Sequence, residues 1–340
     1  MQVLRYLGAR QVEVADVPRP TIGAGEVLVR TKACGVCATD VKTYLRGHPK
    51  IPVGAVLGHE TTGIIAESRA NGWQAGEPVA IAPYVPCGAC RYCARGQFTL
   101  CEHLFASSVE PGGFSEYLRV PECVVQKGLI RLPDRIDFAD GTLAEPIACC
   151  YHGLEAMTLR PGDSLLIVGD GPMGLLQTVV AREMGATTIM IAGMTPERLA
   201  WANGHADAVI NVAETNLREA VMSLTGEIGV DQVIVSVGQA EVAESALALV
   251  GRGGAINFFA GLPGGSRVSI DPNRLHYDEI RLVGTSGFAP EHFQRAVRGL
   301  ASGALDVKGL ITHLAKLEEL EESFVDNARY RGIKTVAVFD

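Results

Sequence analysis

One stretch near the middle of the chain constrains its fold more than any other, because an apolar run, a glycine-rich turn and a helical pattern follow one another there. The stretch, LLIVGDGPMGLLQTVVAREMGA, contains G-x-G-x-x-G at Gly169, Gly171 and Gly174. The first glycine permits a tight turn, the second lets a pyrophosphate approach the backbone, and the third lets helix and strand pack closely. The strand–turn–helix context predicts a dinucleotide site at these glycines and at Pro172 and Met173 between them.

Further apolar segments alternate with helical patterns after this turn. They lie at 187–192, 208–212, 232–237, 255–261 and 279–285. With the strand before the glycines they make six strands separated by helices, the pattern of an α/β domain with a doubly wound parallel sheet. We expect this Rossmann dinucleotide-binding domain to span residues 154–287.

An acidic residue about 20 positions past the glycines is absent. Such an acid hydrogen-bonds the adenosine ribose of NAD. The second strand, TTIMIAG, ends instead at Gly193, and Thr195 follows as a candidate N-cap of the next helix. Arg198 in that helix either contacts a 2′-phosphate or is simply a solvated helix residue. The cofactor is therefore NAD(H) or NADP(H), with Gly193 and Arg198 as candidate contacts.

The chain before residue 154 reads as β-rich. Short alternating strands, VLRYLG, VEVADV and EVLVRTKACG, are broken by turn signals, which predicts a small, irregular all-β barrel. After the sixth strand of the dinucleotide domain come an amphipathic helical pattern and a last strand, KTVAVF. Because the parallel sheet already has its six strands, we expect the C-terminus to return to the first domain, which would comprise 1–153 and 288–340.

Four closely spaced cysteines form the most specific motif of the sequence. Cys87, Cys90, Cys93 and Cys101 have the spacing C-x₂-C-x₂-C-x₇-C. This spacing lets one loop arrange four thiolates tetrahedrally around Zn²⁺, a closed structural site that stiffens a segment with little core. An iron–sulfur cluster is the rival assignment. We expect a structural zinc lobe at 87–101.

A second set of metal-ligand residues lies nearer the N-terminus, in CGVCATD and GHE. Cys37, Asp40, His59 and Glu60 offer a thiolate, an imidazole and carboxylates, and Zn²⁺ takes such ligands. Adjacent strand residues point to opposite faces, so His59 and Glu60 could share an ion only at a kink or strand end. The alternative is a buried cysteine beside a surface His-Glu pair.

A helical pattern at DFADGTLAEPIACCYHGLEAM supplies candidates for a further ligand. With Asp137 as the expected N-cap, Glu145, Cys149 and His152 lie on roughly one face. Glu145 or Cys149 could complete the ligand set, whereas His152 is better assigned to packing or to support of the ligands.

Composition excludes several classes of protein. The net charge of −8 argues against a nucleic-acid binder, and no uninterrupted apolar run is long enough for a membrane span. The N-terminus lacks the apolar block of a signal peptide, so we expect a cytoplasmic protein. Nine cysteines in such a protein favour metal ligation or free thiols over disulfides.

Taken in order, CGVCATD, GHE, the four cysteines, AEP and GDGPMG resemble the zinc-dependent medium-chain alcohol dehydrogenases, especially the sorbitol (polyol) and threonine dehydrogenase branch. The resemblance covers essentially the whole chain. It implies a GroES-like β-barrel catalytic domain beside the Rossmann domain, and two Zn²⁺ per chain, one catalytic and one structural.

The resemblance also implies roles for single residues. Cys37 and His59 match zinc ligands, and Asp40 matches the carboxylate that orients the histidine. Glu60 matches a residue that either ligates zinc or exchanges with water. Glu145 matches a position held by Cys, Asp or Glu in different branches, and it is favoured over Cys149.

Two further positions complete this comparison. Thr39 matches the hydroxyl residue that passes on the substrate proton, but the histidine that usually follows it three positions later is Lys42 here. The outer part of the proton relay is therefore in question. Lys334 resembles a basic residue near the cofactor pyrophosphate.

The implied activity is hydride transfer between a secondary alcohol, polyol or sugar-like, and NAD(P)⁺, with zinc as Lewis acid. Alternatives are a threonine or simple alcohol dehydrogenase, a ketone reductase, or a non-catalytic nucleotide-binding protein. The expected partner is a small-molecule alcohol or ketone, without nucleic acid or membrane, and relatives imply a homodimer or homotetramer.

Overall fold

A computed structural model describes all residues from Met1 to Asp340, and the chain divides into two compact units. The first comprises 1–148, 288–304 and 308–340, and the second comprises 149–287 with the short segment 305–307. The boundary expected at 153 thus lies five residues earlier in this division, within a helix.

The strands, β1 to β15 in chain order, are Gln2–Gly8, Gln11–Asp16, Val27–Gly35, Glu60–Ser68, Pro78–Ile81, Tyr117–Val120, Leu129–Arg131, Ser164–Val168, Thr188–Gly193, Ala208–Asn211, Val230–Val235, Val250–Phe258, Arg281–Gly284, Ile311–Ala315 and Lys334–Val338. The helices, α1 to α11, are Ala38–Arg46, Glu122–Lys127, Phe138–Gly141, Ala144–Ala156, Pro172–Glu183, Pro196–Ala202, Leu217–Leu224, Ala240–Leu247, Pro272–Tyr277, Pro290–Ser302 and Leu320–Ala328. No helix combines the length and apolar content needed to cross a membrane.

The second unit contains a six-stranded sheet in the order β10-β9-β8-β11-β12-β13, and all its pairs are parallel. Each strand begins a new strand–helix repeat, and the order reverses between β8 and β11, as in a doubly wound fold. Buried aliphatic side chains such as Leu166, Val233 and Ile256 form the core on this sheet. The predicted Rossmann sheet is confirmed, with six strands at the predicted places.

The first unit is built on β-structure, as its alternating pattern predicts. Its main sheet runs β14-β15-β3-β4-β5-β7, with β6 pairing beside β3, and β1 and β2 form a separate antiparallel pair. The hydrogen-bonded path starts at β14 and ends at β7 without returning to its start, so the barrel-like domain is open rather than closed. The last strand, β15, pairs antiparallel with β3, which confirms the predicted return of the C-terminus.

The helical pattern at 137–157 is divided into two helices. Asp137 is the N-cap of the short helix α3, and its carboxylate accepts a hydrogen bond from the backbone N–H of Asp140 at 2.7 Å. The helix that carries Glu145, α4, begins separately at Ala144. The N-cap prediction is confirmed, but the single helix is wrong, because the chain turns after Gly141 before it winds again.

Candidate functional site

The four cysteines of the lobe converge on one point. Their sulfur atoms all lie within 4.8 Å of one another, with Cys90 Sγ 3.5 Å from Cys93 Sγ and Cys87 Sγ 3.9 Å from Cys93 Sγ. Four sulfurs bound tetrahedrally at the usual Zn–S distance would be separated by about 3.8 Å. The cluster therefore fits a zinc ion closely.

Backbone N–H groups favour the thiolate state at two of these sulfurs, whereas burial raises the pKa of Cys93 to about 12. The N–H groups of Ala89 and Cys90 point at Cys87 Sγ, each at 3.4 Å, and the N–H of His103 points at Cys101 Sγ at the same distance. Hydrogen bonds from the backbone N–H groups of Ala89 and Cys90 lower the pKa of Cys87, and those from Cys93 and Glu102 lower the pKa of Cys90 to about 6. A metal ligand must be deprotonated, so these bonds lower the cost of binding a cation at Cys87 and Cys90.

The second cluster begins at a helix N-terminus. Cys37 is the N-cap of α1: its sulfur accepts from the N–H of Thr39 at 3.4 Å, and its own N–H donates to Asp40 Oδ2 at 3.0 Å. This reciprocal pair is a capping box, and it accounts for the spacing of three between cysteine and aspartate. The same local structure that starts the helix fixes the thiol in place.

A kink before β4 brings His59 and Glu60 to the same place. Gly58 has φ +86°, and a Cβ there would lie 2.7 Å from the backbone nitrogen of Phe114. Only glycine suits such a position, because it lacks the Cβ that disfavours positive φ. His59 lies just before the strand and Glu60 is its first residue. The adjacent pair thus meets the expected condition of a strand end.

Asp40 ties the two ligand-bearing segments together. Besides its bond to Cys37, its Oδ1 accepts from the N–H of Gly58 at 3.2 Å. The distance from Oδ1 to His59 Nδ1 is 3.8 Å, too long for a hydrogen bond. Burial raises the pKa of Asp40, and the charge of His59 and these N–H groups oppose the rise. Asp40 therefore acts chiefly on the backbone of both segments, and its predicted support of the imidazole is electrostatic at this distance.

Glu60 is buried and paired with a lysine from the end of the chain. Lys334 Nζ lies 2.5 Å from Glu60 Oε2 and donates to the carbonyl oxygen of Val36 at 2.9 Å. The side chains are 1% and 4% exposed. Burial disfavours the ammonium, but the charges of Glu60 and Cys37 outweigh it and raise the pKa of Lys334. The contact is therefore a buried ion pair.

The ligand atoms of Cys37, His59 and Glu60 all lie within 4.8 Å of one another. Burial disfavours a charged imidazole, yet the charges of Cys37, Asp40 and Glu145 raise the pKa of His59 well above its ordinary value. Surroundings that stabilise an imidazolium also stabilise a divalent cation. Thiolate, imidazole and carboxylate are ligands that zinc accepts, so this donor set fits the ion.

Glu145 lies near this cluster but outside its closest grouping. It is 6% exposed, and burial, reinforced by Glu60, raises its pKa to about 7 against the opposing charges of His59 and Lys334. The alternative ligand, Cys149, is half-buried four residues along α4. Ligation by Glu145 stays a prediction.

The remaining predicted residues of the first unit occupy distinct environments. Thr39 is half-buried in the first turn of α1, next to the sulfur of Cys37, whereas Lys42 is exposed on the same helix. Cys34 is fully buried among apolar side chains, and burial raises the pKa of its thiol. Cys34 is thus a core residue.

The glycine-rich turn of the second unit has the geometry of a ligand cradle. At Gly174, a Cβ would lie 1.8 Å from the carbonyl oxygen of Gly169, so helix and strand pack too closely for any side chain. At Gly171, a Cβ would meet nothing within 4 Å, which leaves open space before the N-terminus of α5. That N-terminus has no side-chain cap and begins with Pro172. Its free N–H groups and open approach fit a pyrophosphate.

The end of β9 also has a feature that the sequence prediction missed. Gly193 and Arg198 are both buried, and Thr195 occupies the N-cap position of α6 without a side-chain capping bond. The N–H groups after Gly193 bind instead to the carboxylate of Asp170, from within the glycine-rich turn. The sequence did contain a signal for this contact: Asp170 lies between the first two glycines of the motif, and the neighbouring strand β9 ends in Gly193.

A second missed feature is the partner of Lys334. Its resemblance to a pyrophosphate-binding residue gave no sign of the ion pair with Glu60. The two residues are separated by most of the chain, and the pairing of β15 with β3 and of β3 with β4 brings them together. Contact between Lys334 and a dinucleotide stays a prediction.

Comparison with known proteins agrees with this geometry. Residues 23–134 match the alcohol dehydrogenase GroES-like domain, and residues 172–302 match the zinc-binding dehydrogenase domain. The chain is 30% identical over 322 residues to sorbitol dehydrogenase of Bacillus subtilis (strain 168), covering 92% of this chain and 90% of that protein. The chain therefore belongs to the zinc-dependent medium-chain alcohol dehydrogenases, as its motifs predict. It is a dehydrogenase of that family, with a small-molecule alcohol as substrate.

Two solved structures have the same fold along nearly their whole length. A protein of Sinorhizobium meliloti 1021 assigned to the zinc-binding dehydrogenases, bound to NADP, is 29% identical with a TM-score of 0.91, over 99% of each chain. An alcohol dehydrogenase (rspB) of Escherichia coli CFT073, complexed with NADH, is 25% identical with a TM-score of 0.88, over 100% of this chain and 99% of that one. Relatives of this fold thus carry either dinucleotide.

Proposed function

We propose that this protein oxidises a secondary alcohol of a polyol or sugar-like substrate, and reduces the corresponding ketone, with NAD(H) or NADP(H) as hydride carrier. The observation that carries the proposal is the convergence of Cys37, His59 and Glu60 within 4.8 Å. The similarity to a sorbitol dehydrogenase supports the substrate class. The motif resemblance to the polyol and threonine branch points the same way.

Cys37 and His59 would hold the catalytic zinc, with Glu60 and Glu145 as the carboxylates that complete its ligands. When bound, zinc supplies Lewis-acid polarisation of the substrate oxygen. Asp40 holds the backbone of the Cys37 and His59 segments at fixed spacing, through hydrogen bonds at 3.0 and 3.2 Å. Preorganisation of this kind keeps the ligand atoms in place before substrate binds.

Thr39 would pass on the proton of the substrate hydroxyl. Its position beside Cys37 Sγ, in the half-buried first turn of α1, supports that role. Lys42 is exposed, so solvent rather than a histidine would take the proton onward. Substitution of Thr39 by valine removes the hydroxyl and keeps the shape, whereas serine keeps the hydroxyl. We expect T39V to lose most activity and T39S to retain it, with K42A as a surface control.

The nicotinamide cofactor would bind with its pyrophosphate at Gly169, Gly171, Pro172, Met173 and Gly174. The open space at Gly171 and the uncapped start of α5 support this assignment. The hydride chemistry belongs to the cofactor, and the role of the chain is to orient it.

The decisive experiment is a panel assay on the full chain loaded with zinc. Polyols, threonine and simple alcohols are each offered with NAD⁺ and with NADP⁺, and nicotinamide reduction is followed by absorbance. We expect oxidation of polyols to exceed that of threonine and of simple alcohols. Preference for threonine or for a simple alcohol would redirect the substrate assignment, and no reduction with any pair would refute the proposal.

Zinc content separates the enzyme from a non-catalytic relative. Two zinc ions per chain are expected, one in the four-cysteine lobe and one at Cys37 and His59. A single zinc, removed by substitution of Cys93 but not of Cys37, would favour a nucleotide-binding protein without catalysis. Iron in place of zinc in the lobe would favour the cluster assignment.

We also propose a catalytic domain of 1–153 and 288–340, a dinucleotide domain of 154–287, and a cytoplasmic homodimer or homotetramer. The division of the chain into compact units near these bounds supports the domains. The exposed edge strand β13, with Leu282 37% exposed, supports self-association, because an uncovered edge readily pairs with another chain. Light scattering of the purified chain tests the oligomeric state.

A further inference from the structure

The carboxylate of Asp170 occupies an unusual place in the glycine-rich turn. Its Oδ2 accepts hydrogen bonds from two successive backbone N–H groups, that of Met194 at 2.9 Å and that of Thr195 at 2.7 Å. The residue is only 8% exposed. Both bonds use one oxygen, which leaves Oδ1 available to accept a bond from a ligand.

The side chain of Asp170 fills the space that a side chain at position 193 would occupy, where this protein has glycine. A Cβ built on Gly193 would lie 2.3 Å from Asp170 Cβ, 2.4 Å from its Cγ and 2.5 Å from its Oδ2. Real Cβ atoms do not approach so closely, so only glycine is compatible with Asp170 in this position. Gly193 ends β9, which pairs in parallel with β8, and the glycine-rich turn follows β8 directly. An acid at the end of this second strand is what selects NAD through its ribose.

We propose that Asp170 replaces the acid missing at position 193 and makes the protein select NAD(H) over NADP(H). The inference rests on the proposed dinucleotide site and specifies its ribose contact. The negative charge lies where the side chain of a strand-end acid would lie, although it comes from the neighbouring strand. Its free oxygen accepts from a ribose hydroxyl, and its charge repels a 2′-phosphate.

A second effect acts in the same direction. Backbone N–H groups in the loop after β9 are donors that a phosphate at this strand end could use. In this chain Asp170 already binds two of them, at Met194 and Thr195. A 2′-phosphate would have to displace the carboxylate or remain without these donors, and a charged group left unpaired is costly. Arg198, three residues after Thr195, is 4% exposed. As a cation it favours NADP(H), so its effect opposes that of Asp170.

The test measures binding rather than turnover. Full-length, zinc-loaded protein is titrated with NADH and with NADPH in the absence of substrate, and the nicotinamide fluorescence gives the two dissociation constants. We expect NADH to bind at least about tenfold more tightly, the effect of roughly one charge-assisted hydrogen bond. NADPH binding equal to or tighter than that of NADH would overturn the inference while the proposed function stands. Binding of neither would overturn both.

Asp170→Asn provides the variant matched in shape. The amide oxygen still accepts from Met194 and Thr195, so the loop keeps its bonds while the charge is lost. We expect the preference for NADH to fall about tenfold, chiefly through tighter NADPH binding, with an unchanged melting temperature. An unchanged ratio of the two dissociation constants would show that Asp170 does not set the preference.

A double substitution moves the acid to the strand end. Gly193→Asp alone places a Cβ inside Asp170, so we expect a lower melting temperature. Gly193 has no left-handed φ, so the backbone accepts an aspartate once the clash is relieved. Combined with Asp170→Gly, which removes the Cβ of residue 170 as well as its carboxylate, G193D should recover both stability and preference for NADH. A double variant that stays destabilised, or that binds NADPH better, would contradict the exchange of roles between the two positions.

Discussion

The two clusters of candidate metal ligands in this protein are built on opposite plans. The lobe draws Cys87, Cys90, Cys93 and Cys101 from 15 consecutive positions, and its sulfurs are held by the backbone N–H groups of the same loop. The other cluster combines a helix N-cap, a kink before β4 and, through Lys334, the last strand of the chain. A local site depends on its own loop, whereas an assembled site depends on the fold around it.

The largest effect is expected on activity, from substitution of a ligand in the cluster of Cys37, His59 and Glu60. Serine at position 37 keeps a good N-cap but removes the thiolate. C37S should therefore fold normally and lose activity by about 1,000-fold, because Lewis-acid polarisation contributes several kcal/mol to the barrier. Steady-state kinetics and thermal melting measure the two properties. C123S, at a half-buried cysteine outside both clusters, is the control. A C37S enzyme with near-normal turnover would remove Cys37 from the site.

The next effect concerns the buried pair that only the assembled site contains. K334M leaves the buried carboxylate of Glu60 without its cation, which should cost about 3 kcal/mol of unfolding free energy. Adding E60Q removes the unpaired charge and should recover most of that loss. Denaturant unfolding of the single and double variants, with and without zinc, gives the coupling. Equal stabilities for K334M and the double variant would contradict a stabilising pair.

The matching test of the local site uses Cys93. C93S should reduce the zinc content from two ions to one and lower the melting temperature by about 5–10 °C, because a structural metal contributes directly to folding. The remaining zinc should stay with Cys37 and His59, so folded C93S should keep its activity at low temperature. Loss of both ions in C93S would mean that the two sites are not independent.

Gradual chelation measures the smallest expected difference between the two clusters, which is how readily each releases zinc. The site with one thiolate and one or two carboxylates should release zinc about tenfold more readily than the four-thiolate lobe. Dialysis against a moderate chelator should then abolish activity while about one zinc per chain remains. Activity that survives loss of the first ion, or that persists with only the lobe loaded, would disprove the weaker binding.

The success of the sequence prediction follows the same contrast. The lobe, the glycine-rich turn and the six alternating strands are local patterns, so their residue spacing alone predicts them. Asp40 was assigned to His59 through resemblance, whereas the structure gives its carboxylate to the backbone of Cys37 and Gly58. Asp170 was passed over because its significance depends on Gly193, a residue 23 positions away on a neighbouring strand. Interactions between distant segments depend on strand register, which periodicity does not specify.

The pairing of β15 with β3 has a consequence for folding during synthesis on the ribosome. All four lobe cysteines have been synthesised by residue 101, so this site can take its metal while most of the chain is still unmade. Lys334, by contrast, follows Glu60 by 274 residues, and Glu60 lacks this counter-charge until Lys334 has been made. Domains tend to fold in the order of their synthesis, but the segment that carries Glu60 must wait for a segment made much later. Synthesis that stops before β15 would leave a lobe able to hold zinc beside a catalytic cluster that is not yet neutralised.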